Sequence, residues 1–380
     1  MIPLAIPNLS GNEARYLQEC VETNFVSSVG PFVTRFEAMV AEAAGARHAV
    51  ATSAGTTGLH VALTAVGVSR DELVVLPSFT FIASANAIAH CGAMPWLFDI
   101  DPGSWTLDVS QLAYALEQET EPRHGAIFHK ATGQRVAAIM PVYTLGMPAD
   151  MDRLGEIARQ HGLPVVADGA PALGARYKRR AIGALGADLT VFSFNGNKTV
   201  TAGGGGAVVS ADEALCTLVR HLTTTARCGT EYDHDMVGFN YRMTNLQAAV
   251  GCAQLEQLET FVAAKRRIAE TYDRALGDLP GIGRFPHPSW AEGGCWFSGV
   301  TLTRPTVAEI IPLLRKRGVD SRPFWKPIHL QVPYAQVPRA PLPVSERVWQ
   351  TVLTLPCSTG LTPEEQETVI AAVRETVGEK

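Results

Sequence analysis

The segment "SFNGNKTVTAGGGGAVV", residues 193–209, carries one lysine between two stretches that are typical of β-strands. The strand-like stretch "ADLTVFSF" ends inside it, and the strand-like stretch "GGAVVSAD" begins inside it. Lys198 lies between them, and four glycines, Gly203 to Gly206, follow it. Because glycine has no Cβ, it lets a backbone take positive φ or pass close to a ligand. The segment therefore predicts either a permissive turn or a loop that brings a single amine to a bound molecule.

The chain around this segment has the pattern of an α/β protein. Residues 46–215 alternate apolar strand-like runs, such as "HAVAT", "ELVVLPS", "MPWLFDI" and "RVAAIMPVY", with segments of helical periodicity. This alternation predicts βαβ units around a mostly parallel sheet. The runs "LPVVAD", "ADLTVFSF" and "GGAVVSAD" are joined by short connections. That part of the sheet therefore cannot consist of helical crossovers alone.

The last third of the chain predicts a second, smaller domain. The stretch "NLQAAVGCAQLEQLETFVAAKRRIAETYDRAL" has the apolar spacing of a connecting helix, and many prolines follow it. A terminal helix is predicted from "TPEEQ", with Thr362 as N-cap, Pro363 at the first helical position and Glu365 completing a capping box. We predict a large domain over residues 1–245, and a connecting helix with a small α+β domain over residues 246–380.

Composition and charge exclude several classes of function. The formal net charge of the 380-residue chain is −5 and no basic run is present, which argues against an extended nucleic-acid surface. No apolar run approaches the roughly 18 residues of a membrane helix, so no membrane partner is expected. The seven cysteines lie singly, without a C-x-x-C pair, which favours a reducing cytoplasm and argues against structural zinc. No H-x-x-x-H pair or G-x-S-x-G elbow suggests a metal site or a serine hydrolase.

Three separate features of the sequence together fit the requirements of one cofactor. The segment "TSAGTTGLHVAL", residues 52–63, places hydroxylated residues at a helix start, where either a phosphate or a plain cap is expected. Asp168 ends a strand-like run, at the sheet edge where open α/β proteins bind ligands, although it can also be a simple cap. Lys198 alone would be an ordinary solvated lysine. Pyridoxal phosphate needs an amine for a Schiff base, a carboxylate for its ring nitrogen and a phosphate cradle, and these features supply all three.

Two further residues extend this candidate site. Phe81 ends "PSFTF", which follows another strand-like run, and can stack on the cofactor ring, although a core position is the commoner fate of phenylalanine. Ser193 ends a strand five residues before Lys198 and can donate a hydrogen bond to the phosphate.

Several segments, in the same order along the chain, resemble a known family. They are "GTTGLHVAL", "PSFTFIASANAI", "VVADGAPALG", "FSFNGNKTVTAGGGGAVV", "GFNYRMTNLQAAVGCAQLE" and "PFWKPIHLQVPY". Over nearly its whole length the chain is similar to the DegT-type sugar-nucleotide aminotransferases, which depend on pyridoxal 5'-phosphate. The resemblance implies fold type I, a mostly parallel mixed sheet flanked by helices, with a smaller C-terminal α+β domain.

Other segments resemble one subgroup of that family. The insertion "EPRHGAIFHKATGQRVAAIMPVYTLG" and the phrases "SFNGNKT" and "HLTTTA" are similar to C4 aminotransferases of the legionaminic-acid pathway. This implies transfer of an amino group from glutamate to C4 of a UDP-4-keto-6-deoxy-N-acetylhexosamine. The alternatives are C3 amination of another keto-sugar nucleotide and a non-catalytic ligand-binding regulator. Sugar dehydration goes with a histidine in place of the lysine in this family, so Lys198 argues against it.

The resemblance also implies roles for individual residues. Lys198 would form the Schiff base and move protons, Asp168 would pair with the pyridinium nitrogen, and Phe81 would stack on the ring. The cofactor phosphate would be surrounded by Gly55, Thr56, Thr57 and Ser193, with Asn240 or Arg242 reaching it from the neighbouring subunit. The active unit would therefore be a homodimer with shared active sites. The sugar-nucleotide pocket would be lined by Ser27, Ser28, Tyr143 and His329.

Two positions depart from the family pattern. The family commonly reads D-A-A-Q or D-A-A-E after the aspartate, whereas this chain reads "DGAP". Pro171 therefore stands where a side-chain hydrogen bond would help to hold the cofactor, and proline offers none. Tyr143 stands where relatives commonly carry a histidine. These departures are the reason why the regulator alternative stays open.

Overall fold

A computed structural model describes residues 1–378 of the chain. The α-helices of this part are α1 (Glu13–Glu22), α2 (Pro31–Ala44), α3 (Gly55–Ala65), α4 (Ile82–His90), α5 (Val109–Glu119), α6 (Met151–His161), α7 (Glu213–Thr223), α8 (Asn245–Leu255), α9 (Leu258–Leu276), α10 (Val307–Lys316), α11 (Pro343–Thr351) and α12 (Pro363–Gly378). The strands are β1 (His48–Thr52), β2 (Leu73–Pro77), β3 (Met94–Phe98), β4 (Thr120–Arg123), β5 (Ala126–His129), β6 (Val136–Ile139), β7 (Val166–Asp168), β8 (Arg176–Tyr177), β9 (Arg180–Ala181), β10 (Leu189–Ser193), β11 (Gly206–Ser210), β12 (Arg227–Cys228), β13 (Asp233–His234), β14 (Ile282–Gly283), β15 (Ala291–Glu292), β16 (Ser298–Leu302), β17 (Arg322–Pro323) and β18 (Val352–Leu355).

The central sheet is mostly parallel with one antiparallel strand. Strands β1-β11-β10-β7 and β3-β2-β6 form two hydrogen-bonded sets. Isolated parallel bridges, Ile139 to Val165 and Val142 to Asp168, join the sets between β6 and β7. Strand β11 runs antiparallel to both β1 and β10, because residues 194–205 connect β10 to β11 without a helix. The predicted mixed sheet is thus confirmed. The segment that contains Lys198 connects β10 to the antiparallel strand β11.

Helices cover both faces of this sheet. Successive residues of β2 belong to different apolar clusters: Leu73 and Val75 to one, Val74 and Leu76 to the other. Side chains of a strand alternate between the two faces of its sheet, so the two clusters are the two layers between sheet and helices. Strand β2 is buried throughout, as expected for a strand that is covered on both faces.

The predicted connecting helix is divided into α8 and α9. Helix α8 packs against α1 and α2. It ends at Leu255, and the following Glu256 accepts hydrogen bonds from Tyr16 (2.6 Å) and Arg35 (2.6 Å) of those helices. Helix α9 then leads to the C-terminal part, where it packs against β16 and α12. The domain boundary after residue 245 stays a prediction.

The C-terminal part contains an antiparallel sheet, and its apolar cluster also includes Phe79, Ile100, Trp105 and Leu145 from earlier in the chain. The strand order is β14-β16-β18-β17. The start of the terminal helix is confirmed, since the backbone N–H of Thr362 donates to the Glu365 carboxylate (3.0 Å) and the N–H of Glu365 donates to Thr362 Oγ1 (3.2 Å). The chain's first residues join this part: Leu4 belongs to its cluster and Ile2 forms a parallel bridge with Val319.

Candidate active site

A cavity of about 530 Å³ lies where the C-terminal ends of β7 and β10 meet the N-terminus of α3 and the C-terminal part of the chain. Its volume is within the range of small-molecule sites. Six of the residues predicted for cofactor binding line it together: Gly55, Thr56, Phe81, Asp168, Ser193 and Lys198. Residues from four separate segments of the chain therefore form one site.

Lys198 lies in a loop that is held from within and from the C-terminal part. Its backbone N–H donates to the carbonyl of Asn195 (3.0 Å), and the indole N–H of Trp296 donates to the carbonyl of Asn197 (2.7 Å). Burial lowers the pKa of the Lys198 amine to about 7, and the negative charge of Asp168 opposes this shift. Near neutral pH a large share of this amine is unprotonated, as a nucleophile or a proton acceptor requires.

Asp168 is a buried carboxylate at the end of β7, with 5% of the residue exposed. It accepts hydrogen bonds from the Ser84 hydroxyl (2.7 Å) and from the backbone N–H of Ala170 (3.0 Å). Burial raises the pKa of Asp168, and these two donors and the charge of Lys198 lower it. The carboxylate therefore faces the cavity with its charge supported by named donors, which suits an interaction with a protonated ring nitrogen.

The N-terminus of α3 borders the cavity, where the sequence predicts a phosphate site. A Cβ atom at Gly55 would lie 2.8 Å from Cβ of Ser193, so glycine is needed for the close approach of helix and strand. Thr56 and Ser193 line the cavity, whereas Thr57 is not among the lining residues. The Thr57 hydroxyl bonds to the N–H (3.0 Å) and the carbonyl (2.9 Å) of Ala54. Of the two adjacent threonines, Thr56 is thus the one that borders the cavity.

Phe81 stands at the cavity and is 54% exposed, so it is not a core residue. It is the N-cap of α4, and its ring lies 6.3 Å, between centroids, from that of Trp325. An exposed ring on a cavity wall is available to stack on a flat ligand.

Asn240, Arg242 and Ser28 do not join this cavity in the single chain. They line a second, open concave region of about 1080 Å³, which also includes Val29. Val29 is 68% exposed there. Ser27 is held through its backbone, since its carbonyl accepts from the N–H of Asn245 (2.6 Å).

Tyr143 and His329, predicted to line the sugar pocket, are not among the residues that line the cavity. Tyr143 is fully buried, and its backbone N–H donates to the carbonyl of Asp168 (2.9 Å). His329 is 6% exposed and shares a hydrogen bond of 2.7 Å with the hydroxyl of Ser78. Burial lowers the pKa of His329. The structure thus places both behind the strand ends that carry the site.

The C-terminal part adds an aromatic wall to the cavity that was not predicted from the sequence. This wall consists of Trp296, Phe297, Phe324 and Trp325. In the sequence it corresponds to the aromatic pairs in "CWFSG" and "RPFW". Asn197 was also missed. It lines the cavity, and its buried Oδ1 has no hydrogen-bond partner among the residues that the structure describes.

Within residues 1–378 one group of side chains has the atoms to hold a metal ion: His221, Cys228 and Asp235. His221 already shares a hydrogen bond of 2.6 Å with Asp235, and none of the three lines the cavity. The expectation that the protein needs no metal stays a prediction. In the same part of the chain, no helix has the length and apolar character needed to cross a membrane.

Comparison with known proteins gives the family. The model of the DegT/DnrJ/EryC1/StrS aminotransferase family matches residues 7–374. The chain belongs to this family. It is 38% identical to the GDP-perosamine synthase of Caulobacter vibrioides, over 98% of this chain and 97% of that protein. It is 34% identical to a Bacillus subtilis protein described as a pyridoxal phosphate-dependent aminotransferase, over 97% and 94%. The solved structure of the aminotransferase TlmJ from Streptoalloteichus hindustanus superposes with a TM-score of 0.89, at 30% identity, over 100% and 99%.

Membership confirms the predicted fold type I, the pyridoxal phosphate cofactor and the transaminase activity toward sugar nucleotides. The residues of the cavity fit this cofactor, because an amine, a buried carboxylate and a helix N-terminus border one space. The legionaminic-acid subgroup has less support: the relative from Caulobacter vibrioides is named for another amino sugar.

Proposed function

We propose that this enzyme transfers the amino group of glutamate to C4 of a nucleotide-linked 4-keto-6-deoxyhexose. The observation that carries the proposal is that the Lys198 amine shares one cavity with the Asp168 carboxylate and the N-terminus of α3. Burial lowers the pKa of this amine to about 7. The position on the sugar follows from a relative, since perosamine is a 4-amino-4,6-dideoxyhexose and the relative from Caulobacter vibrioides is named as its GDP-linked synthase.

Two substrates are candidates, and the GDP-linked sugar comes first. The UDP-linked N-acetylhexosamine was predicted partly from the insertion that contains β4 and β5. This insertion forms an antiparallel hairpin, Thr120–Arg123 with Ala126–His129, and none of the hairpin's residues lines the cavity. The hairpin therefore gives no contact that would select an N-acetyl sugar, and the insertion reaches the cavity only at the apolar Val142, whereas the GDP-linked sugar is supported by the name of a relative.

In this proposal each residue has a definite task. Amino transfer needs an acceptor for the amino group and for the electrons of the breaking C–H bond, which pyridoxal phosphate supplies when bound. The backbone N–H groups at the start of α3, with Thr56 and Ser193, would hold the phosphate. Asp168, whose charged form is favoured by the hydrogen bonds from Ser84 and Ala170, would hold the ring nitrogen in its protonated form. Lys198 would hold the cofactor through its amine and, once that amine is free, would take a proton from one carbon and return it to another.

We also propose that the active unit is a homodimer with shared sites. The charged side chains on the cavity wall are Lys198, Asp168 and Arg322 in the described part of the chain, and α3 contributes none of them. Arg242 and Asn240 lie on the other concave region, beside the exposed apolar Val29. A second copy that packs there would bring these two side chains to its partner's phosphate.

For the compartment we propose the cytoplasm. The seven cysteines are free thiols in the structure. Free thiols are stable in a reducing compartment and are rare in oxidising ones.

The decisive experiment offers the purified enzyme, with pyridoxal phosphate and ¹⁵N-glutamate, a panel of GDP- and UDP-linked 4-keto and 3-keto sugars. Mass spectrometry and NMR then identify the product. We expect ¹⁵N at C4 of the GDP-linked sugar. Label at C4 of the UDP-linked N-acetyl sugar would support the second substrate, and label at C3 would contradict the proposed position. A protein that takes up no cofactor and forms no product would support the regulator alternative.

A further inference from the structure

Trp296 is fixed by hydrogen bonds at each of its polar groups. Its backbone N–H donates to the carbonyl of Leu145 (3.2 Å), and its indole N–H donates to the carbonyl of Asn197 (2.7 Å). Its carbonyl accepts from Nζ of Lys265 (2.8 Å). Only 4% of the residue is exposed. The ring is therefore held in one orientation between the C-terminal part and the loop that carries Lys198.

Lys265 further restrains the backbone of Trp296. The residue is 2% exposed, and its amine donates both to Trp296 and to the carbonyl of Cys357 (2.6 Å). Burying an ammonium group costs free energy unless the group donates hydrogen bonds. The Lys265 amine therefore needs the two carbonyls as acceptors, and the carbonyls are held in place by the amine. The backbone of Trp296 is thereby tied to helix α9 and to the end of β18.

The face of the Trp296 ring meets the Lys198 amine. The distance from Nζ to the ring centroid is 3.5 Å. The ring quadrupole attracts a cation at this distance, and most strongly where water is excluded. Of the other charged side chains on the cavity wall in residues 1–378, Asp168 at the end of β7 acts on this amine, whereas Arg322 lies on β17. The Trp296 ring and the Asp168 carboxylate thus both favour the protonated form of the Lys198 amine, whereas burial favours its neutral form.

We propose that Trp296 is a positioning residue for Lys198: its ring holds the free amine in place and stabilises the ammonium form that the amine reaches on taking up a proton, and its indole N–H holds the loop beside it. The inference rests on Lys198 being the reacting amine of the proposed function. In each half of an amino transfer the lysine is displaced from the cofactor and must stay within reach of the reacting carbon. The ring supplies a defined place for the amine during that interval.

A shape-conserving test separates the ring's electrostatic effect from its packing. Tryptophan with one to four fluorine atoms is placed at position 296 of the full-length chain by amber suppression. Fluorine weakens the ring's attraction for cations and changes its shape little. After the cofactor has been removed with hydroxylamine, acetylation of Lys198 is measured against pH by peptide mass spectrometry. We expect the midpoint to fall stepwise with fluorination, by about 0.5 to 1 pH unit in total.

Trp349 is the matched control, because it packs against the same apolar cluster and does not line the cavity. The same analogues at position 349 should leave the Lys198 midpoint unchanged. An unchanged midpoint at position 296, or equal shifts at both positions, would overturn the inference. No amino transfer is measured in this experiment, so a failure of the proposed function would show separately, as a missing product in the substrate panel.

The variant Lys265→Met tests the second half of the inference, since methionine keeps the apolar stem and removes the ammonium. We expect amide hydrogen exchange in residues 195–198 to become several-fold faster, because Trp296 no longer holds the loop firmly. Exchange at the native rate in that segment would show that Lys265 does not position Trp296.

Discussion

The hydroxyl of Ser84 donates a hydrogen bond of 2.7 Å to Oδ2 of Asp168. Ser84 lies in α4 and itself shares a hydrogen bond of 2.9 Å with the hydroxyl of Thr80. Burial raises the pKa of Asp168, and this bond is the largest of the effects that lower it. The charge of the Asp168 carboxylate, which the proposed function requires, therefore depends on a residue of helix α4.

Replacing Ser84 should change the pH dependence of the reaction. In Ser84→Ala the pKa of Asp168 rises further, because one donor to its charged form is lost. An ionised Asp168 is required, so activity should disappear at a higher pH on the acid side than in the native enzyme. The measurement is the pH profile of kcat/KM. Ser84→Thr keeps the hydroxyl and should keep the native profile, and an unshifted acid limb in Ser84→Ala would argue against the proposed role of Asp168.

Lys198→Ala should lower kcat by about 10²- to 10⁴-fold, the usual contribution of a general acid–base residue. Burial lowers the pKa of the native amine to about 7. The neutral amine accepts protons, so the lysine-dependent rate should decrease as the pH falls through that value. Stopped-flow measurement of the half-reaction with glutamate tests both statements. Lys130→Ala is the control, because Lys130 belongs to the hairpin region away from the cavity and its variant should react at the native rate.

The sequence predicted those parts of the site that local pattern determines. Asp168 and Lys198 were found because a strand end and a strand connection can be inferred from a few neighbouring residues. The contact of Trp296 with Lys198 depends on how the C-terminal part packs against the rest of the chain. The periodicity of apolar residues in the sequence does not predict such packing. The choice between Thr56 and Thr57 depends on the angle at which α3 begins. Tyr143 was assigned to the pocket by resemblance, yet it is buried in one of the two apolar clusters that flank the sheet.

Gly55→Ala should weaken cofactor binding. The added methyl group would lie 2.8 Å from Cβ of Ser193, so the start of α3 and the end of β10 must separate. We expect the dissociation constant of pyridoxal phosphate to increase about tenfold or more, corresponding to at least about 1.4 kcal/mol. The quantity is measured by fluorescence titration of the cofactor-free enzyme.

Gly155→Ala is the matched control for that variant. Gly155 lies within α6, and a Cβ atom there would meet no atom within 4 Å. Alanine forms helices better than glycine, so the free energy of unfolding should increase by about 0.5–1 kcal/mol with unchanged cofactor affinity. If both glycine variants lost the cofactor equally, the close contact at Gly55 would not explain the loss.

Shared active sites predict complementation between two defective chains. Arg242 donates through Nε to the carbonyl of Ser28 (3.2 Å), and both residues line the second concave region. If Arg242 completes the partner's site, a dimer of one Lys198→Ala chain and one Arg242→Ala chain contains one site with both defects and one intact site. Equal co-expression gives mixed dimers in about half of the population, and hence about one quarter of the native activity. Separately purified variants, each shown by light scattering to be dimeric, provide the baseline. Only an intact site formed from both chains can raise the activity of the co-expressed protein above the mean of the two baselines. An activity no higher than that mean would therefore place Arg242 outside its partner's site.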